Sequence, residues 1–289
     1  MVKVLSVGGS IVAPDKPDTE FLANFSKLVR EWLAAADDRK LILVVGGGGP
    51  ARSYQNAYKA VASADADQAD WIGIMATRLN AQLLKAIFSD LCKNDVVYNP
   101  SEVSSFDGKI LVAAGWKPGF STDTDAVFLA ERFGAKTVVN LSNIEKVYTD
   151  DPKKNPDAKP VDAMSWADFR KMVGDDWIPG KNCPFDPIES RRAQELGLQV
   201  ICAGGKNIAN IQNILEDKPV QSFFGGNSTF ENLKLIDKEN LIPLPIFDEK
   251  LHKKLFEGLG TVVSNIWIDK IWEMLTERRG VYEDFRNSR

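Results

Sequence analysis

Leu41-Ile42-Leu43-Val44-Val45-Gly46-Gly47-Gly48-Gly49-Pro50-Ala51-Arg52 runs an unbroken apolar stretch straight into four glycines, a proline and an arginine. An apolar run without alternation suits a strand covered on both faces, as in a parallel sheet. Glycines at its end let backbone N–H groups approach an anion, and a helix starting there adds positive partial charge. Arg52 offers a planar fork of donors suited to phosphate oxygens. A plain turn could be built with fewer glycines, because each one costs backbone entropy. A smaller copy of the pattern, Gly8-Gly9-Ser10, follows the apolar residues 3–7. Neither cluster reads GxxxxGK[ST], and Pro50-Ala51-Arg52 stands where a GxGxxG motif would place its third glycine. The pair therefore predicts phosphate binding by a different architecture.

Working outward, residues 109–113, 137–141 and 199–203 are further short apolar strands. Between the first two strands, Phe21, Phe25, Leu28, Val29 and Trp32 form one stripe at helical spacing. Leu79, Leu83, Leu84, Ile87, Phe88 and Leu91 predict a second helix, and Val127, Leu129, Ala130 and Phe133 a third. Strand–helix alternation of this kind predicts an α/β fold, a three-layer sandwich around a central, mostly parallel sheet. Ligands of such sheets bind at the carboxyl ends of the strands. Residues 150–159 are polar and turn-rich and read as a loop. Beyond about Val220 the character changes. Phe223-Phe224-Gly225-Gly226-Asn227 reads as a turn, Pro243 and Pro245 exclude a helix interior, and Val263, Trp267, Ile271 and Leu275 recur at helical spacing. The division expected is 1–219 as one domain and 220–289 as a partly helical extension that packs as an appendage or oligomer contact.

Composition narrows the chemistry. Lys+Arg total 36 against Asp+Glu 40, a net charge of −4, which argues against a nucleic-acid partner. The lone histidine, His252, sits among charged residues and reads as a solvated surface group rather than a catalytic base. Cys92, Cys183 and Cys202 form no CxxC, so a zinc site lacks ligands and the thiols point to the reducing cytoplasm. No apolar run approaches the roughly 18 residues of a membrane span, and the N-terminus has no signal-peptide pattern.

Polar residues gather at two further strand ends. Lys117-Pro118-Gly119-Phe120-Ser121-Thr122-Asp123 follows the 109–113 strand, and Ser142-Asn143 ends the 137–141 strand ahead of Tyr148-Thr149-Asp150-Asp151-Pro152. Ser121-Thr122-Asp123 also has the composition of a helix N-cap, which places the same residues at a ligand-facing turn.

The ordered set of these pieces resembles the amino acid kinase superfamily, and within it the UMP kinases of the archaeal-like type. The matching segments are Val7-Gly8-Gly9-Ser10 with residues 12–18 behind it, Val44-Val45-Gly46-Gly47-Gly48, Arg52-Ser53-Tyr54, Asp70-Trp71-Ile72-Gly73-Ile74 and Ala76-Thr77-Arg78-Leu79-Asn80-Ala81. Residues 118–123, 147–152 and Phe185-Asp186-Pro187 complete the order over roughly residues 1–216. The resemblance implies the amino acid kinase fold, an N-terminal acceptor-binding part and a C-terminal ATP-binding part. It also implies transfer of the ATP γ-phosphoryl group to UMP with Mg²⁺ carried on the ATP phosphates. By position, Gly9, Ser10, Gly48 and Arg52 would face ATP phosphates, and Ser142, Asn143, Tyr148 and Asp151 the nucleoside of ATP. Gly47, Asp70, Trp116, Lys117, Pro118, Gly119, Phe120, Ser121 and Thr122 would hold UMP. Arg52, Asp123 and Lys117 would carry the catalytic roles. No dedicated protein metal site is expected, and the resemblance implies a homo-oligomer, a hexamer built from dimers.

The chain departs from the family in three places. Ser6 stands where bacterial relatives carry a lysine; Lys117 is the candidate replacement, and Lys3 reads as a solvated strand-start residue. Glu145-Lys146 replaces the usual Asp-Gly before Val147-Tyr148, and Trp116-Lys117 the usual Thr-His. Two alternatives stand beside UMP kinase: a kinase of another small acid or phosphate, and a catalytically silent storage relative of these enzymes.

Overall fold

The computed structural model describes residues 1–144, 146–150, 155–176, 183–218 and 223–225, all within the compact unit Met1–Ile236. The expectations for Glu145 and Asp151, and those for the extension 220–289 other than residues 223–225, lie outside the described residues; His252, Trp267 and Trp272 belong to that group.

The apolar runs form the predicted strands: β1 (Val2–Val7), β2 (Lys40–Val45), β3 (Ile110–Ala114), β4 (Thr137–Ser142) and β8 (Gln199–Gly204). They pair in parallel in the order β3-β2-β1-β4-β8, with Leu5 opposite Leu43 on one side and Val139 on the other. Alternate residues of each strand feed two separate cores, as a pleated strand requires. One core takes Leu5, Val7, Leu43, Val45, Val112 and Leu141, and the other takes Val4, Ile42, Val44, Leu111 and Val138. The sandwich therefore has three layers.

Covering the first core are α1 (Gly9–Val12), α2 (Thr19–Ala34), α4 (Ala66–Ile87) and α8 (Ile208–Leu215). The stripe Phe21, Phe25, Leu28, Val29 and Trp32 is buried as its spacing predicts, and each such side chain contributes about 1.5–3 kcal/mol. The second core lies under α5 (Thr122–Phe133), α6 (Trp166–Val173) and α7 (Pro187–Glu195). Helix α3 (Gly48–Val61) stands outside both cores, with only Gly49 buried.

Three expectations are corrected. Leu79 is 69% exposed on α4, because that face of the helix turns away from the sheet along with Trp71 and Met75. Residues Phe223–Gly225 form not a turn but a strand, β9, antiparallel to β8; it also pairs with β7 (Ala163–Met164) and extends the sheet to seven strands. Lys3 is buried, not solvated; its Nζ donates to the Ile214 carbonyl at 2.9 Å and Asp217 Oδ1 at 2.5 Å. It ties β1 to the end of α8, at the opposite end of the strand from the glycines. Two short strands, β5 (Val147–Tyr148) and β6 (Pro160–Val161), pair antiparallel on either side of the predicted loop, with Thr149 N–H donating to the Lys159 carbonyl at 2.9 Å; residues 151–154 of that loop lie outside the described residues.

Candidate functional site

The sheet order places four chemically distinct strand ends in a row. The 115–121 loop leaves β3, Gly46–Gly49 leaves β2, Gly8–Ser10 leaves β1, and Ser142-Asn143 leaves β4. With strands about 4.8 Å apart, the row spans about 14 Å.

At its centre the two glycine turns interlock through their backbones. Gly46 N–H donates to the Val7 carbonyl at 3.0 Å. A Cβ on Gly9 would collide with the Gly48 amide, and one on Gly48 with the Gly9 and Ala13 carbonyls. Gly48 also has φ +67°, a conformation that side chains resist. Asn80, 3% exposed on α4, donates to the Gly46 and Gly47 carbonyls at 2.8 and 3.2 Å. Those carbonyls are drawn toward α4, away from the opening of the turn.

Capping separates these turns from the rest of the molecule. α2, α4, α5, α6, α7 and α8 each begin with a side chain accepting from a first-turn amide, respectively Asp18, Asp65, Ser121, Ser165, Asp186 and Asn207. α1 and α3 begin at Gly8 and Gly47 with no side-chain cap. A helix start without a cap leaves its amides to an external acceptor. Arg52, in the first turns of α3, is exposed and anchored by one contact, Nη2 donating to the Pro14 carbonyl at 3.3 Å.

The β3 loop is held by side chains of α4. Gly115 N–H donates to Thr77 Oγ1 at 2.8 Å, while that hydroxyl donates to the Ile74 carbonyl at 2.7 Å. Arg78 Nη2 donates to the Trp116 carbonyl at 3.0 Å, and Gly119 N–H donates to Asp70 Oδ2 at 3.1 Å. Within the loop, the Trp116 ring lies 4.9 Å from Phe120 and 5.8 Å from Phe128. The Lys117 ammonium sits 4.2 Å from the Trp116 ring centre and 4.8 Å from that of Phe120. Pro118 and Gly119 form the bend, and Ser121 caps α5 through the Thr124 amide, with Thr122 the first helical residue. The N-cap expectation for Ser121 and the loop's position at a strand end hold together.

Asp123, one residue into α5, accepts from the Asp186 backbone N–H at 3.0 Å. That bond explains why Phe185-Asp186-Pro187 recurs among the motifs: it sets the start of α7 against α5. Burial, opposed by the Asp186 amide and reinforced by the carboxylates of Asp186 and Glu189, pushes the Asp123 carboxyl up to about 7.

On the far side of the row, Gly8 N–H donates to the Leu141 carbonyl and Gly205 N–H to the Ser142 carbonyl, both at 2.8 Å. Ser142 Oγ accepts from Ile144 N–H at 3.2 Å, and Asn143 is exposed. Tyr148 lies half-buried on β5, and Lys146 pairs with Asp162 at 3.8 Å. Ser6, in the bacterial lysine position, is buried in β1.

Thr77, Arg78 and Asn80, absent from the candidate residues of the sequence, hold backbone groups of the strand-end turns. The motif Ala76–Ala81 contained them, and their signal was polar side chains on an otherwise apolar helical face. Asp125, fully buried on α5, was missed for the same reason.

The family model described as amino acid kinase family matches residues 1–204. The uridylate kinase of Pyrococcus abyssi is 33% identical over 218 residues, covering 74% of this chain and 95% of that protein. The uridylate kinase of Methanospirillum hungatei is 35% identical over 218 residues, covering 74% and 89%. Among solved structures, the uridylate kinase from Archaeoglobus fulgidus matches with a TM-score of 0.67 at 27% identity, over 78% of this chain and 100% of that one. The UMP kinase from Bacillus anthracis shares the fold, with a TM-score of 0.62 at 15% identity over 78% of this chain and 96% of that one.

Proposed function

The chain belongs to the amino acid kinase family, and we propose from that premise that it transfers the γ-phosphoryl group of ATP to UMP, giving ADP and UDP. The observation that carries this reading is the row of strand ends β3-β2-β1-β4. That order supports reading the β3 loop as the acceptor side, the two glycine turns as the phosphate site and the end of β4 as the donor-base side.

A phosphate oxygen of UMP attacks the γ-phosphorus while the bond from that phosphorus to the ADP oxygen breaks. The second phosphate ionisation lies near pH 6, so the acceptor is already an anion at neutral pH and needs no histidine base. What the protein must supply is alignment and charge neutralisation. Gly9, Ser10 and Gly48 offer amides at the uncapped helix starts, and Arg52 adds a mobile guanidinium. Ser142, Asn143, Tyr148 and Asp151 hold the donor nucleoside. Gly47, Asp70 and the loop residues Trp116, Lys117, Pro118, Gly119, Phe120, Ser121 and Thr122 hold UMP. Lys117 leaves its two rings to meet the transferring phosphate in place of the lysine absent at Ser6. Asp123, at the base of that loop, orients the cationic groups around the junction.

Mg²⁺ suits this site as a passenger of the nucleotide. Among the described residues no three His, Cys, Asp or Glu side chains gather into a cage, and Mg²⁺ characteristically binds substrate phosphates while keeping several waters. When bound it neutralises phosphate charge. No helix among the described residues is long and apolar enough to cross a membrane, and three thiols without a zinc pattern fit a reducing cytoplasm. Tyr54, Val61, Trp71, Met75 and Leu79 are exposed along α3 and α4, a surface suited to the family's homo-oligomeric assembly; light scattering on the full chain tests for the hexamer.

The test of function is ADP release from Mg-ATP with UMP, CMP, AMP, carbamate or acetylglutamate. UMP should give the largest rate. No UMP-dependent release overturns the reading, and release with carbamate or acetylglutamate instead moves the chain to a small-acid kinase.

A further inference from the structure

We infer that Arg78 and Asp125 are positioning residues that clamp the Trp116 backbone from its carbonyl and amide sides, fixing the acceptor loop in its closed state. This rests on the reading of 115–121 as the acceptor loop and names what sets that loop's geometry.

Half of the clamp is already closed, with Arg78 Nη2 on the Trp116 carbonyl at 3.0 Å. The other half is the Asp125 carboxyl, buried beside Arg78 and the Trp116 peptide without a partner. Asp125 is 0% exposed, and neither carboxylate oxygen makes a hydrogen bond. Arg78 Nε is buried and equally unsatisfied. The Trp116 backbone N–H and the Arg78 charge lie close enough to favour the charged form of Asp125. Leaving a buried polar group unpaired costs about 1–3 kcal/mol, so the unpaired Asp125 carboxyl and Arg78 Nε near the Trp116 peptide mark an arrangement poised to close. Burial and the neighbouring carboxylates of Glu189 and Asp123 hold the Asp125 carboxyl up to about 8 while it stays unpaired.

Closure is sterically simple. The loop is flanked by Gly115 and carries Gly119 at φ +82° with open space around it. The Arg78 guanidinium lies 4.4 Å from the Tyr98 ring centre and 5.6 Å from that of Trp71, so it slides between aromatic faces instead of breaking salt bridges. Drawing Trp116 down onto Asp125 moves Lys117 and the Trp116–Phe120 pair as one body, because they are consecutive on the loop and in ring contact.

Asp125→Val and Asp125→Asn separate a clamp from a mere packing position. Valine removes the buried unpaired carboxyl and should leave melting temperature equal or higher, yet raise KM for UMP about tenfold or more, one lost charge-assisted hydrogen bond. Its KM for ATP should stay within about twofold of the parent. Asparagine keeps an acceptor for Trp116 N–H and should recover part of the lost affinity. Independently of any nucleotide, hydrogen exchange of the 115–121 amides in the full chain should speed up about threefold or more in Asp125→Val. An unchanged KM for UMP together with unchanged exchange overturns the clamp. Faster exchange in a protein that never turns over UMP keeps the clamp and overturns the acceptor assignment instead.

Discussion

The turns after β1 and β2 and the loop after β3 sit side by side on the sheet but are built from different material. The glycine turns are backbone against backbone: Gly9, Gly46 and Gly48 touch so closely that a single methyl group does not fit. The β3 loop is backbone held by side chains, with Thr77, Arg78 and Asp70 each gripping one peptide group. The contrast teaches a division of labour. On the proposed assignment, the backbone turns serve a phosphate, which is the same in every ATP, and the side-chain-held loop serves the acceptor.

Breaking the glycine contact should have the largest effect. Gly48→Ala meets both the positive φ and the Gly9 carbonyl, and should lose more than about 2 kcal/mol of stability in denaturant unfolding together with measurable kinase activity. Gly134→Ala is the control: it has φ +66° but nothing within 4 Å, and should cost about 1–2 kcal/mol while keeping activity. If both behave alike, the interlock contributes nothing special.

Charge comes next. Arg52→Ala and Asp123→Asn should each lower kcat by about 100-fold or more with melting temperature nearly unchanged for Arg52, whose guanidinium is exposed. An unchanged rate in Arg52→Ala removes it from the phosphates. Lys117→Ala should lower kcat less, about tenfold, and barely move stability, since an exposed cation–π contact is worth about 0.5–1 kcal/mol.

Asn80→Ala probes the seam between the two regions, because Asn80 is a side chain of α4 gripping the glycine turn itself. It should raise KM for ATP a few-fold and cost about 1–2 kcal/mol. A rise confined to UMP would place Asn80 with the acceptor loop.

The smallest effect concerns pH. Asp125 holds its proton to about 8 when folded, far above an unfolded aspartate. The folded state therefore binds the extra proton between those values, and stability from this group falls as pH rises toward 8. Asp125→Asn, which cannot ionise, should gain on the parent by a degree or two in melting temperature between pH 5 and pH 9. A constant difference across that range contradicts an uncompensated Asp125.

Much of this was legible in the chain. The five parallel strands and the α2 stripe follow from period and apolar content, and the glycine clusters stand at strand ends because no other residue can pack there. Lys3 and Leu79 were misread for one shared reason. Local sequence does not tell which face of an element meets its neighbour, so a lysine reached a buried carbonyl on α8 and a leucine faced outward. The strand at Phe223–Gly225 escaped because it pairs with β8 across a long separation, which no local pattern encodes.

Residues 1–204 by themselves determined the family and the strand–helix alternation, and set glycines, Arg52 and carboxylates after the apolar runs. Tertiary structure alone decided the order β3-β2-β1-β4, which brings motifs scattered along the chain into one row of strand ends. It alone decided that α1 and α3 start uncapped, that Arg78 holds the Trp116 carbonyl and that Asp125 lies buried without a hydrogen-bond partner. The physical reason is common to all three: strand order, cap vacancy and buried pairing depend on contacts between residues tens of positions apart, and a parallel sheet makes those contacts only once it has closed.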